Sequence, residues 1–239
     1  MKPIYTPKGR ALEYGELALN IYTGCPHSCT YCYAAKNAKR WGKDFTDIKP
    51  RAGIVAATKQ QLERESITSQ LIHLCFTCDP YPRGYDMSVT REIIKAIKES
   101  GNHVQILTKN GYGAKRDFDL LDENDWFGVS YTGLDRPNVI EPKTTEFVLS
   151  ALSLAYSKGI KTWVSCEPVL DPEKVLDMLR NEYFIDKAKI GKLNHMRPES
   201  LGLPPIDWAR FGRSAEEICV GRGIDYMIKD DLRAEMEKE

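Results

Sequence analysis

The chain has 239 residues, enough to bury a substantial core in one domain, and it is 42% apolar and 28% charged, the balance of a globular protein. Basic and acidic residues number 34 each, which excludes a global basic field for gripping nucleic acid; such affinity would have to come from a local patch. The start, residues 1–16, is polar and broken by Pro3, Pro7 and Gly9, and no stretch approaches the roughly 20 apolar residues of a membrane helix. The chain therefore reads as cytoplasmic.

In chain order, residues 17–23 alternate like a strand and run into a cysteine loop. A second strand is predicted over 71–77. A helix over 88–100 places Val89, Ile93, Ile94 and Ile97 on one face, with Gly101 closing its end. A third strand covers 103–108, a helix 114–123 and a fourth strand 126–131. The helix at 144–158 turns Val148, Ala151, Leu152 and Ala155 inward, and a fifth strand follows at 160–166. Asp171 caps the next helix with Pro172 at its first position. A short strand at 187–193, a helix at 207–221 and a strand-like 226–229 complete the pattern. Strands alternating with helices imply parallel pairing with right-handed crossovers, hence a β/α barrel, with a doubly wound open sheet as the alternative. In both, sites collect at the C-terminal ends of strands.

Seven cysteines are present, and three of them fall in Cys25-Pro-His-Ser-Cys29-Thr-Tyr-Cys32. Three thiolates on a short loop suit three irons of a cubane and leave the fourth iron open to a small chelating molecule. The alternative is a structural zinc with His27 or a distant residue as fourth ligand.

The phrase GCPHSCTYCY resembles the CxxxCxxC loop of the radical S-adenosylmethionine (SAM) superfamily, and within it the spore photoproduct lyase-like branch. Thr77–Tyr81, Leu107–Lys109, Val129-Ser130 and Glu141-Pro142 resemble further fragments of that branch, so the resemblance spans about residues 17–195. It implies a partial (β/α)6 barrel of the radical SAM type: a lead-in over 1–16, a core over 17–195, and a short C-terminal helical extension over 196–239 packed on the core. It also implies an enzyme that cleaves SAM reductively at a 4Fe-4S cluster. The resulting 5′-deoxyadenosyl radical would take hydrogen from substrate. Carried over by motif, Cys25, Cys29 and Cys32 would ligate the cluster, Tyr31 and Tyr33 would flank the adenine, and Lys109 would meet the methionine carboxylate. Ser130 would meet the ribose or the carboxylate and Glu141 would support the ribose side, and Glu167, ending the fifth strand, would meet polar groups of cofactor or substrate. A reductant such as flavodoxin or ferredoxin is implied as partner.

Photoproduct lyases resemble one another in a hydrogen-donating cysteine at the end of the second strand. Here Phe76 stands at that place and Cys78 two residues on, so Cys78 is the candidate catalytic thiol, while strand alternation would turn Cys75 into the packing. Residues 36–51 carry Lys36, Lys39, Arg40, Lys43, Lys49 and Arg51 against Asp44 and Asp47, interleaved with Trp41 and Phe45. That local patch suits a nucleic-acid backbone. The expected substrate is thus a nucleic-acid base or modified nucleotide in DNA or RNA. A small molecule, amino-acid moiety or peptide is the second reading, and a metal-binding interaction module without turnover the third.

Overall fold

The computed structural model describes residues 2–134 and 147–238. β1 (Ile4–Tyr5) passes through a 3-10 turn at Gly9–Tyr14 into β2 (Leu17–Leu19). Then come β3 (Tyr22–Thr23), α1 (Tyr33–Arg40), β4 (Lys49–Pro50) and α2 (Ile54–Arg64). A regular alternation follows: β5 (Leu71–Leu74), α3 (Ser88–Glu99), β6 (His103–Thr108), α4 (Gly111–Ala114), β7 (Trp126–Ser130), α5 (Val148–Ser157) and β8 (Lys161–Cys166). The chain closes with α6 (Pro172–Asn181), β9 (Lys187–Ile190), α7 (Trp208–Arg222), β10 (Asp225–Ile228) and α8 (Asp230–Met236). No described helix is long and apolar enough to cross a membrane.

One eight-stranded sheet runs β1-β2-β5-β6-β7-β8-β9-β10. β1 is antiparallel to β2, and every other neighbouring pair is parallel. With β1 and β10 at its two edges, the sheet is a partial barrel. β10 matches the strand-like stretch expected at 226–229 and pairs with β9, adding a strand to the six of the core.

Several boundaries differ from expectation for local reasons. The strand expected over 17–23 breaks at Asn20, whose Oδ1 accepts the N–H groups of Phe76 and Thr77 at 2.9 Å each and whose Nδ2 donates to the Tyr5 hydroxyl. The strand expected over 71–77 stops at Leu74, because Cys75 takes the left-handed conformation (φ 71°). The helix expected over 114–123 resolves into α4 and a 3-10 turn at Lys115–Leu120. Asp171 caps α6 as expected, accepting the Lys174 N–H at 3.3 Å. α2 lacks an apolar signature because two of its buried positions are Thr58 and Gln61. Gln61 clamps β1 with both ends of its amide, accepting from Ile4 N at 2.8 Å and donating to Ile4 O at 2.9 Å.

The two sheet faces carry different chemistry, as alternation requires. One face (Ile72, Leu74, Val104, Ile106, Phe127, Val129, Val164, Ala188, Ile190) is fully buried and belongs to the main core with Ile93, Ile94 and Ile97 of α3 and the inward residues of α5 and α6. The other face lines the inside of the half-barrel: His73, Gln105, Gly128, Ser130, Trp163, Ser165 and Lys189 follow from the registers. Trp163 lies flat across β7 and donates Nε1 to Ile106 O at 3.0 Å. It has room only because residue 128 is glycine; a Cβ there would stand 2.2 Å from the indole nitrogen.

His73 stacks on Phe76 at 4.3 Å and accepts at Nδ1 from Gln105 Nε2 at 2.9 Å. The same amide nitrogen donates to Tyr14 O at 2.6 Å, which fixes its orientation and leaves the imidazole neutral. Burial, with Lys189 nearby, depresses His73 to a pKa of about 3.

Gly128→Ala is expected to lower stability by about 2–3 kcal/mol, since a methyl there overpacks a site that cannot yield. The check is a fall in urea midpoint at unchanged slope. His73 supplies a pH dependence. Its folded pKa lies below the unfolded value, so the unfolded chain binds the proton first as pH falls. Its stabilising contribution is complete above about pH 6.5 and is lost between there and about pH 3. Between pH 7 and pH 5 the native chain should lose about 2 kcal/mol more than His73→Gln, measured by denaturation of both at each pH.

Candidate functional site

The cysteine loop leaves β3 at Gly24 and closes against residues 45–47. Cys25 N–H donates to Phe45 O at 2.7 Å. Gly24 has φ 78°, and a Cβ on it would stand 2.6 Å from Phe45 O and 2.9 Å from Asp47 O, so only glycine lets the loop enter here. Within the loop, Cys32 N–H donates to Cys29 O at 3.0 Å, and Cys32 caps α1, its Sγ accepting the Ala35 N–H at 3.4 Å. The loop's last thiol is therefore aimed by the helix it starts, with a backbone donor on its sulfur.

None of the three thiols is in a disulfide, and each is partly accessible. Among the described residues they do not gather within 4.8 Å of one another. A 4Fe-4S cubane takes one thiolate on each of three separate irons, an arrangement that three spaced sulfurs suit. His27 is unavailable as a zinc ligand. It is buried, with Nε2 accepting the Arg83 N–H at 3.1 Å and Nδ1 3.4 Å from Asp79 Oδ2.

Asp79 joins the loop to the strand ends. Its Oδ1 accepts from Thr108 Oγ1 at 2.6 Å and Tyr81 N at 2.8 Å, and its Oδ2 accepts from Lys109 N at 2.8 Å and faces His27. Burial opposes the charge, but the His27 ring and these donors outweigh it and hold the carboxyl below the usual range. Asn110 extends the tie, donating to Tyr81 O and accepting at its Oδ1 from Gly113 N.

The sequence candidates fall into three places. Tyr31 and Lys109 meet beside the cysteine loop, with the Lys109 ammonium 5.2 Å from the Tyr31 ring centroid. Tyr33, half exposed, donates its hydroxyl to Phe76 O at 2.5 Å and so bridges α1 to the loop after β5. Ser130 ends β7 on the inner face, in register with Ser165 of β8. Glu167 sits just past β8, where its Oε2 accepts from Lys229 Nζ at 2.7 Å and from the Tyr14 hydroxyl at 2.8 Å. Cys78 lies near the buried Cys75, whose thiol is raised well above its usual value by burial and by its bond to Cys78. The alternation expected to part these two thiols stops with the strand at Leu74. Glu141 lies outside the described residues.

The sequence offers His27 only as a candidate zinc ligand and gives Asp79 no role, although both lie inside quoted motifs. Tyr14, Lys189 and Lys229 carried no signal: Tyr14 lies in the polar lead-in, and the other two read as the solvent side of edge strands.

A family model described as the Radical SAM superfamily matches residues 19–181. The chain belongs to that superfamily. Its members use a 4Fe-4S cluster and SAM, and the loop's three thiols, its glycine cradle and the donor on Cys32 fit such a group. An uncharacterized Methanocaldococcus jannaschii protein is 28% identical over 203 residues, covering 79% of this chain and 70% of its own. An uncharacterized Mycobacterium tuberculosis protein is 32% identical over 123 residues, 49% of this chain, and the match spans 36% of that relative. Among solved structures, a spore photoproduct lyase mutant with bound SAM and dinucleoside spore photoproduct superposes with TM-score 0.60 at 15% identity, over 86% of this chain and 61% of that one. Streptococcus suis SuiB bound to SAM gives 0.65 at 13% identity, over 92% and 52%. These likenesses are of fold.

Asp79→Ala leaves four donors, from Thr108, Lys109, Tyr81 and His27, without their acceptor. It should cost about 3 kcal/mol and at least halve the iron retained per chain after anaerobic reconstitution. Arg83→Ala, which keeps the main-chain N–H that His27 uses, should change neither quantity; both are read by denaturation and by iron and sulfide assay.

Proposed function

We propose that this chain is a radical SAM enzyme that acts on a nucleic-acid base or modified nucleotide. The observation that carries the first half is the glycine-cradled loop with three open thiols at the C-terminal end of a parallel half-barrel. When bound, the cluster and SAM supply a 5′-deoxyadenosyl radical that takes a hydrogen atom from substrate. Cys25, Cys29 and Cys32 hold the cluster. Lys109 offers a point cation to the methionine carboxylate, and Tyr31 and Tyr33 flank the adenine. Ser130 orients the ribose side, with Glu141 as its second candidate. Glu167 presents a fixed carboxylate at the end of β8. Cys78, in the loop that follows β5, is assigned hydrogen donation. A reductant of the flavodoxin or ferredoxin kind provides the electron.

The substrate class rests on α1. Lys36, Lys39, Arg40 and Lys43 are exposed, none is in an ion pair among the described residues, and Trp41 is 79% exposed beside them. This strip of cations with a bare aromatic begins at a cluster-loop cysteine, and it has the composition of a single-strand binding surface. The lyase with a dinucleoside lesion among the fold relatives agrees with it. SuiB, whose structure holds a precursor peptide, represents the peptide alternative.

Reconstituted enzyme with dithionite and SAM is expected to form 5′-deoxyadenosine, and Cys29→Ala to form none; absence of product in the native chain would leave only a metal-binding module. Single-stranded DNA binding should fall as log salt rises. Joint reversal of Lys36, Lys39 and Arg40 to Glu should flatten that slope by about 2, near 0.7 per phosphate contact. A slope indifferent to the reversal would favour a small-molecule or peptide substrate.

A further inference from the structure

Inside the half-barrel, below the cysteine loop, two lysines lie almost fully buried. Lys189 of β9 and Lys229 just past β10 are each 4% exposed. Lys229 Nζ donates to Glu167 Oε2 at 2.7 Å, and Glu167 is held in turn by the Tyr14 hydroxyl. Among the described residues Lys189 Nζ has no hydrogen-bond acceptor; it sits 3.8 Å from the centroid of the Tyr14 ring. A π face attracts an ammonium but does not replace the oxygen acceptors its N–H groups require.

The second carboxylate of the group is held differently from the first. Glu13 Oε2 stands 3.2 Å from Lys229 Nζ, yet this buried oxygen accepts no hydrogen bond. Glu167 is a fixed partner; Glu13 is retained by charge alone. Glu13 also rides on the short 3-10 turn Gly9–Tyr14, entered at Gly9 with φ 60°, whose Leu12 is half exposed. Take Glu13 away and two ammonium groups face one carboxylate in a site with little water. Lys187 on the same face adds cation, and the neighbouring His73 is neutral. Burial, more than any neighbour, lowers Lys189 to a pKa of about 8, so its charge is costly as the site stands and an anion would restore it.

We propose that Lys189 and Lys229 form a phosphate subsite for a nucleotide substrate, and that Glu13 is the resident carboxylate which the phosphate displaces. This deepens the nucleotide reading above and rests on it. The subsite reads the backbone of the substrate, while the radical acts on its base or sugar. Tyr14 stays as the wall on which the Lys189 ammonium rests.

The test titrates reconstituted enzyme with thymidine 5′-monophosphate, thymidine and inorganic phosphate by calorimetry. The monophosphate is expected to bind at least tenfold tighter than thymidine, and inorganic phosphate to compete with it. Glu13→Gln, which removes the resident charge from a half-exposed turn, should tighten the monophosphate about tenfold. Lys189→Met should weaken it at least tenfold while the variant melts no lower than the native chain. Equal binding of thymidine and its monophosphate, failure of phosphate to compete, or an unchanged affinity in Glu13→Gln overturns the subsite. 5′-Deoxyadenosine formed by the same preparation without phosphate binding overturns this inference alone; no 5′-deoxyadenosine overturns the reading beneath it.

Discussion

A single buried carboxylate fixes the relation between the cysteine loop and the sheet. Asp79 follows β5, yet its partners are His27 in the loop and Thr108 and Lys109 at the end of β6. A loop that carries metal ligands cannot be positioned by hydrophobic packing alone, because its sulfurs must stay partly open to the group they hold. Polar anchoring does the work instead, and a carboxylate serves well because it takes several donors at once. The cost of burying that charge is met by the donors converging on it, the condition under which buried charges are stable. Asn20 repeats the device on a smaller scale, fastening the turn after β5 to the broken first strand.

That anchoring leaves the inside of the half-barrel with a chemistry of its own. The outer face of the sheet is closed by helices and is mostly apolar, its buried Thr162 being hydrogen-bonded to Phe184 O and Asp186. Among the described residues, the Gly9–Tyr14 turn of the N-terminal lead-in enters the inner face, where Tyr14 packs on His73 and Trp163. Tyr14 touches His73, Phe76 and Trp163 with its ring, Glu167 with its hydroxyl and Gln105 with its carbonyl. Contacts of that number make it part of the barrel wall, and they explain why a lysine can lie beside it with nothing but an aromatic face to meet.

The legible parts of the sequence were those whose signal is local. The strand at 103–108, the capped helix after Asp171 and the cysteine loop each declare themselves within a dozen residues, by alternation, by a cap and by ligand spacing. The illegible parts are those decided by distant partners. α2 hides because Gln61 is buried to clamp Ile4, a polar residue used as core. β2 stops early because Asn20 is claimed by residues 76 and 77. Lys187 and Lys189 alternate with apolar residues and read as a solvent face; only closure of the sheet makes that face an interior.

The same division separates the two halves of the function. Making a radical needs one cofactor held by one loop, so its residues cluster in sequence and a motif can reveal them. Choosing a substrate needs groups gathered from across the fold, and those on this inner wall come from residues 13, 14, 73, 163, 167, 189 and 229, spread over several elements. A shared cysteine motif therefore says that two chains begin the same chemistry and says little about where it ends. In this chain the inner wall carries the paired lysines and the weakly held Glu13, and none of them lies near the cysteine loop in sequence.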